Sequence, residues 1–232
     1  MESDEKIRIA VMNTQIIRAP KQHLATFGTT NVYYYLVAEA AVNEIVKSTD
    51  TVVREGRVIA ERPRIVTPYY LSRVQGFSPE AKKYFEMLIN NINPNSPGLF
   101  YAYRNEPREL NVVSENMPAV IAKLNTEIDQ KGDPLTSIIK GEDMLWDVSI
   151  LKFIYEITQR SVGENVRQLN QSGLLKMDAS GLPAEARIHI EELFKLVEKG
   201  ELEPSDLKTE LDRWNIFEEY QDRFFSMFKR KR

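Results

Sequence analysis

A change in hydrophobic spacing near Asp143 constrains the fold more than any other feature of this sequence. Before it, runs rich in β-branched residues and tyrosine alternate with turn residues; after it, apolar residues recur at intervals of three and four, as in Leu145, Val148 and Leu151. That spacing places apolar side chains on one side of a helix. We therefore predict an α+β protein: a mixed or mainly antiparallel sheet with packed helices, followed by an all-helical C-terminal region.

Runs rich in Ile, Val, Thr and Tyr, bounded by Gly, Pro and Asn, predict the strands. Gly56 lies between two β-branched runs, an arrangement typical of a hairpin turn, and 105–108 holds the same place in a second hairpin. Pro63 and Pro68 restrict the residues around them to an edge strand or an extended loop. The predicted strand segments are 7–18, 31–38, the two runs of 51–62 on either side of Gly56, 99–104, 110–114 and 135–140, with 64–70 as an edge strand or an extended loop.

Capping residues, helix-starting prolines and terminal glycines indicate where the helices begin and end. Ser78-Pro79-Glu80 combines an N-cap residue, a proline at the first helical position and an early carboxylate. The predicted helices are 38–47, 79–92, 118–131, 144–160, 162–174, 183–199, 204–213 and 215–229. A small, polar segment near 176–183 predicts a boundary between an α+β domain, 1–175, and a C-terminal helical region, 176–232, which folds alone or packs on the first domain.

Composition excludes several classes of site. The chain has no Cys, which removes thiolate chemistry and Cys-ligated zinc or iron–sulfur sites. It also lacks a phosphate-binding P-loop, a dinucleotide-binding glycine fingerprint and a nucleophile elbow. The two histidines, His23 and His189, are far apart in the sequence, so we expect no metal site and no cofactor. We expect His189 to be a histidine on the surface of its helix.

Carboxylates are the remaining candidates for catalysis. Asp143 and Asp147 are four residues apart at the start of a predicted helix, so both carboxylates can point the same way. His23 lies in a predicted loop, where functional residues concentrate. The alternative is that the acidic residues stabilise the positive end of the helix dipole. The evidence for an enzyme is therefore weak, and the sequence favours a non-enzymatic protein.

Tyrosine and arginine are crowded on the predicted strands. Because alternate strand residues share a face, one face can pack on helices while the other presents tyrosines to solvent. Such a face could stack the rings of a nucleotide or of single-stranded nucleic acid while arginines hold phosphates. The alternative is β-propensity with ordinary cross-strand packing. The candidate binding residues are Tyr33, Tyr35, Arg54, Arg57, Tyr101, Tyr103 and Arg104.

The C-terminal helices are dense in aromatic residues. Trp214, Phe217, Phe224 and Phe228 either seal the chain's own core or pack against a second copy or another protein. From this pattern we favour protein–protein contact as the function, in a homo-oligomer held by these helices. Nucleic acid is a possible but less favoured partner, because the formal net charge of −3 gives no general basic field.

The sequence shows no secretory signal and no apolar run of the roughly 18 residues that a membrane span needs. We therefore expect a cytoplasmic protein without a membrane partner.

Overall fold

A computed structural model of the chain describes residues 2–40, 50–66, 76–89 and 98–229. Contacts divide the chain into two compact units, the first formed by Met1–Arg62, Arg73–Asn91 and Tyr101–Asn165, and the second by Pro63–Ser72, Ile92–Phe100 and Val166–Arg232. The second unit thus takes in two early segments that the sequence assigned to the α+β domain. In chain order the elements are α1 (Glu2–Asn13), β1 (Gln15–Arg18), β2 (Thr30–Glu39), β3 (Thr51–Ala60), β4 (Arg64–Val66), α2 (Pro79–Ile89), β5 (Gly98–Phe100), β6 (Tyr103–Val113), α3 (Met117–Lys131), β7 (Thr136–Lys140), α4 (Trp146–Gln171), α5 (Ala184–Lys199), α6 (Pro204–Arg213) and α7 (Phe217–Lys229).

The first unit is built on a five-stranded sheet in the order β1-β7-β2-β3-β6. Strand β2 pairs parallel with β7 and antiparallel with β3, and β3 pairs antiparallel with β6. The sheet is therefore mixed, and the predicted α+β class is confirmed. Helix α3 packs on one face, where Val120, Leu124 and Ile128 contact Val37 and Val53 among others. Helix α4 lies across the opposite face, where the Tyr103 hydroxyl contacts Thr158.

The predicted strand at 7–18 is wrong over most of its length, because residues 2–13 form helix α1. Ile7 and Ala10, three residues apart, are both buried on its inner side. A short apolar run does not separate a helix from a strand by spacing alone, and here tertiary contact decides. The Asp4 carboxylate lies near the positive end of α1 and pairs with Lys83 of α2 at 2.5 Å.

Both predicted hairpins are also wrong, since 51–60 and 103–113 are two continuous strands, β3 and β6. Gly56 lies inside β3 rather than at a turn, and its partner in β6 is Pro107. The pairing of β3 with β6 shifts register between Glu55 and Gly56, where β6 carries an extra residue. Such a bulge accommodates a proline, which cannot donate to the strand ladder.

Helix α4 is continuous over 26 residues and joins the two helices predicted at 144–160 and 162–174. Ser161 is accommodated because its hydroxyl donates to the Ile157 carbonyl at 2.7 Å and accepts from the Leu24 amide at 3.0 Å. Helices α3, α5, α6 and α7 and strand β7 confirm their predictions to within two residues, and Gly132 ends α3 with φ 67°. The predicted helix at 38–47 lies largely outside the described residues.

The second unit has its own core around α5, α6 and α7, with Ile190, Phe194 and Leu207 fully buried. Strands β4 and β5 form a two-stranded sheet. The buried Glu185 carboxylate of α5 accepts a hydrogen bond from the Ile65 amide of β4 at 2.7 Å. The C-terminal helices therefore fold together with an early segment of the chain.

Gly56 is required by the ring of Tyr34. A Cβ atom at position 56 would lie 2.6 Å from the Tyr34 Cζ and 2.9 Å from the Glu106 carbonyl oxygen. We expect Gly56→Ala to lower the free energy of unfolding by about 1–3 kcal/mol, because the ring or the strand must move. Urea denaturation followed by circular dichroism measures this loss.

The matched control is Gly163→Ala in α4, where a Cβ atom meets nothing within 4 Å. That change should raise stability by about 0.5–1 kcal/mol, because alanine loses less conformational entropy in a helix. Equal midpoints for Gly56→Ala and the unaltered protein would contradict the packing described here.

Candidate functional site

Three paired strands bring polar side chains together on one face of the sheet. Tyr33 of β2 pairs with Arg57 of β3, which pairs with Glu106 of β6. In the next row, Ile59 of β3 pairs with Arg104 of β6. Residues paired across strands share a face, so these side chains project on the same side. We call Tyr33, Arg57, Arg104, Glu106 and Arg108 the arginine–tyrosine face.

The carboxylate of Glu106 organises this face. Arg57 donates from Nε to Oε2 of Glu106 at 2.6 Å, and Nη2 of Arg104 lies 3.1 Å from Oε1. Arg108 lies in the bulge, and its guanidinium carbon is 5.3 Å from the centre of the Tyr33 ring. Guanidinium groups stack favourably on aromatic rings. The carboxylate and the ring thus hold the arginines in defined positions.

The charges of three arginines act on Glu106, and a second acidic pair, Glu55 and Glu109, lies farther along the same face. The hydrogen bond from Arg57, followed by the charges of Arg57, Arg104 and Arg108, lowers the pKa of Glu106 below its usual value. The same hydrogen bond raises the pKa of Arg57. Arg57 and Arg104 therefore contact the Glu106 carboxylate directly, and the Arg104 side chain is 55% exposed. An anion can reach these groups from solvent.

Two depressions lie on this side of the sheet. One, of about 510 Å³, is lined by Arg57, Arg104 and the acidic Glu61, together with Asn31 and Ile59 among others. The other, of about 210 Å³, is lined among others by Tyr33, Tyr35, the basic Arg108 and Lys131, and the acidic Glu55 and Asp133. Arg57 and Tyr33 are paired neighbours, so the two depressions adjoin at the centre of the arginine–tyrosine face.

Tyr35 is on the same face but is partly covered. Its ring packs against the core formed with α3, and burial, followed by the charge of Glu55, raises the pKa of its hydroxyl. Helix α3 thus covers the Tyr35 end of β2 and leaves Tyr33 half-buried at the other end.

Tyr101 and Tyr103 do not present their rings to solvent, which corrects the predicted exposed face. Each is 6% exposed, and their rings stack at 6.1 Å between centres. The Tyr103 hydroxyl meets Thr158, and the Tyr101 hydroxyl donates to the Asn165 side chain. Burial raises the pKa of both hydroxyls. These tyrosines hold α4 against the sheet.

Arg54 is on the opposite face from Arg57, which separates two residues that the sequence grouped together. Its Nη2 and Nε donate to the Asp143 carboxylate at 2.8 and 3.0 Å. Its guanidinium carbon lies 5.3 Å from the Trp146 ring centre. Residues 54 and 57 differ by an odd number, so alternation along β3 places them on different faces.

The predicted pair of catalytic carboxylates is divided between two environments. Helix α4 begins at Trp146, so Asp143 precedes it and is engaged by Arg54. Asp147 is 5% exposed and accepts hydrogen bonds from the Ser78 and Val148 amides. Asp147 also lines a cavity of about 770 Å³. The other lining residues are Lys6, Ile9, Ala10, Gly76, Ser78, Glu80, Pro107, Glu142, Met144, Leu145 and Trp146.

The two histidines lie in different environments. His23 is exposed between β1 and β2. His189 is 8% exposed, which corrects the predicted surface position, and its Nδ1 lies 2.9 Å from Nη1 of Arg64. Within the described ranges, no group of three or more acidic or histidine side chains is placed to hold a metal ion.

The C-terminal aromatics belong mostly to the core of the second unit. Phe224 is 6% exposed, and Trp214 and Phe217 are partly buried against the same core. Phe228 is 48% exposed and packs edge-to-face on Phe224 at 5.5 Å. Self-association through these residues stays a prediction.

Sequence reasoning did not single out Glu106, because 105–108 was assigned to a turn. Alternation along a single strand would have placed Glu106 on the same face as Arg104. Asn165, in the middle of a long helix, was also missed. Its side chain is 1% exposed and donates to the Leu24 carbonyl at 2.8 Å and to the Thr26 hydroxyl at 2.7 Å.

Comparisons with known proteins give no family for this chain: no family model, no curated protein and no solved structure matches it. Among the described residues, no helix is both long enough and apolar enough to cross a membrane.

Asn165→Ala tests the buried network at Tyr101. The change leaves the Leu24 carbonyl, the Thr26 hydroxyl and the Tyr101 hydroxyl without these hydrogen bonds. We expect the free energy of unfolding to fall by about 2–4 kcal/mol, since each buried unsatisfied group costs about 1–3 kcal/mol. Asn170→Ala, at an exposed position of the same helix, is the control and should change stability by less than about 0.5 kcal/mol. Similar urea midpoints for the two variants would contradict a structural role for Asn165.

Proposed function

We propose that the arginine–tyrosine face binds ligands that combine phosphate with a planar ring: a nucleotide, free or within single-stranded nucleic acid. The observation that carries this proposal is the placement of Arg57, Arg104 and Arg108 near the carboxylate of Glu106 on an accessible strand face. Protein contact was the function favoured by the sequence. The placement of Arg57, Arg104 and Arg108 on one exposed face supports ligand binding.

The chemistry of the face suits a phosphate. A guanidinium group presents a planar fork of donors that matches two phosphate oxygens. Glu106 contacts one nitrogen of Arg57 and one nitrogen of Arg104, and each guanidinium has five N–H donors in all. Because Glu106 already restrains these long side chains, binding loses less conformational entropy than it would with free arginines.

The stacked pair of Arg108 and Tyr33 suits a ring. The guanidinium lies over the tyrosine ring, and the side chain of Arg108 is exposed to solvent. Nucleobases stack on arginine planes as well as on aromatic rings. A base can therefore stack on the outer side of Arg108, while Arg57 and Arg104 hold a neighbouring phosphate.

Removal of the phosphate-binding arginines should weaken binding. We expect Arg57→Ala/Arg104→Ala to reduce affinity for a fluorescein-labelled single-stranded oligonucleotide by at least about tenfold, because a hydrogen bond to a charged group contributes about 1.5–3 kcal/mol. Fluorescence anisotropy titrations at several salt concentrations measure this. The slope of log affinity against log salt should also become shallower by about 0.7 for each phosphate that the variant no longer neutralises.

The control is Arg8→Ala, which removes an arginine that is 71% exposed and pairs with Glu5 on α1. It should leave the affinity unchanged. Separate titrations of the protein with ATP and with oligonucleotides of increasing length show whether it prefers a free nucleotide or single-stranded nucleic acid. No binding by the unaltered protein at low salt, to either kind of ligand, would exclude the proposed function.

Glu106→Gln tests the charge balance of the same face. The change removes the negative charge that a phosphate must approach, yet leaves a side chain that can still accept from Arg57. We therefore expect affinity for the same oligonucleotide to increase several-fold at low salt, with a smaller gain at high salt where charges are screened. A decrease in affinity, with the fold intact by circular dichroism, would show that the carboxylate itself contacts the ligand.

A further inference from the structure

Strand β6 forms one edge of the five-stranded sheet and is exposed along much of its length. It pairs with β3 on one side. Residues 107–112 are all exposed. Over the part of the chain that the structure describes, no strand pairs with its outer side. The outer N–H and C=O groups of an edge strand offer a template for another strand.

Only the first half of this edge has features that discourage pairing. Pro107 lacks a backbone N–H, the bulge falls at Arg108, and Glu109 adds a second charge. The following segment, Leu110 to Val113, contains no proline, no glycine and no charged residue. A regular edge segment without such protection is open to pairing with another strand.

The apolar side chains of this segment are arranged for pairing with themselves. Leu110 pairs with Arg54 and Val112 with Val52, so Leu110 and Val112 share one face of the sheet. They are 52% and 51% exposed. Asn111 projects from the other face between them.

We propose that the outer edge of β6 pairs antiparallel with β6 of a second copy of this chain, centred on Asn111. In this register Leu110 lies opposite the partner's Val112, Val112 opposite the partner's Leu110, and Asn111 opposite the partner's Asn111. Both exposed apolar side chains are covered, and no like charges are opposed. Cross-strand apolar pairs of this kind stabilise antiparallel strands.

Neighbouring registers that keep the same faces together are less favourable. Centring the pair on Leu110 places Val112 opposite the charged, bulged Arg108 of the partner subunit. Centring it on Val112 places Leu110 opposite the partner's polar Ser114. Centring it on Glu109 opposes two carboxylates. The register at Asn111 is the one that covers Leu110 and Val112 with apolar partners.

The symmetry of this pair has a consequence for the arginine–tyrosine face. The two-fold axis of an antiparallel strand pair is perpendicular to the sheet, so corresponding faces of the two copies lie on the same side. Two five-stranded sheets then form one continuous sheet of ten strands with both arginine clusters on one surface. The self-pairing itself does not depend on ligand binding.

A cysteine crosslink tests the register. The chain has no Cys, so Asn111→Cys introduces a single thiol. In the proposed pair the two substituted positions face each other with Cα atoms about 4.5–5.5 Å apart, which lies within the range that a disulfide spans, so mild oxidation should give a disulfide-linked dimer. Ser114→Cys is the control, because position 114 lies about 20 Å along the strand from its own counterpart at about 3.3 Å per residue. Non-reducing gels and intact mass spectrometry measure the products.

Sedimentation equilibrium tests the association without a crosslink. The unaltered protein should show a concentration-dependent monomer–dimer equilibrium, which Leu110→Lys/Val112→Lys weakens by at least about tenfold through like-charge opposition. Ile17→Lys, on the opposite sheet edge at a residue 40% exposed, should leave it unchanged. Circular dichroism and thermal melting confirm that each variant is folded.

The competing interface is the C-terminal aromatic surface. Phe225→Ser/Phe228→Ser alters two residues that are 49% and 48% exposed on α7. The proposal is supported if this variant still dimerises and Asn111→Cys crosslinks. It is overturned if the unaltered protein is monomeric at all concentrations, if only the α7 variant loses the dimer, or if Asn111→Cys and Ser114→Cys crosslink equally.

Discussion

The ring of Tyr34 lies across the bare backbone of Gly56 and reaches the side chain of Asn105, to which its hydroxyl donates at 3.0 Å. This contact joins β2, β3 and β6 on one face of the sheet. Burial raises the pKa of the Tyr34 hydroxyl, so the group stays neutral and remains a hydrogen-bond donor. The bulge of β6 begins beside Gly56, at the residue paired with it, and it brings Arg108 over Tyr33 on the other face. The contact of Tyr34 with Gly56 on one face and the stacking of Arg108 on Tyr33 on the other face therefore both lie at the bulge of β6.

The two faces of the sheet are consequently different in chemistry. On the face covered by α4, three polar groups have partners within the chain: Arg54 is bound by Asp143, Tyr103 by Thr158, and Asp147 by backbone amides. On the other face, α3 covers the Tyr35 end and leaves the arginine cluster open to solvent. An anion-binding site needs cations that are held in place and accessible to solvent. The arginine–tyrosine face meets this requirement, and for that reason we assign the proposed function to it.

The sheet edge adds a second property to the same strand. Arg104, Glu106 and Arg108 are on β6, and so are Leu110 and Val112. Strand β6 therefore carries the candidate ligand contacts in its first half and the proposed self-pairing segment in its second. The bulge at Arg108 separates the two halves because it interrupts the regular alternation of side chains.

Features that depend on neighbouring residues could be predicted from the sequence. Pro204 and Gly132 mark a helix start and a helix end where the structure has them, and the α+β class follows from the spacing of apolar residues. Alternation correctly placed Tyr33 and Tyr34 on opposite faces of the sheet.

Contacts between residues distant in sequence determined whether Gly56 was a turn or a strand position, whether 7–13 was helix or strand, and which tyrosines were buried. A glycine is compatible with a turn and with a strand position that has no room for a side chain. At position 56 the ring of Tyr34, which is distant in sequence, leaves no room for a Cβ atom. The partners of Tyr101 and Tyr103 are likewise more than fifty residues away, beyond the reach of any local pattern.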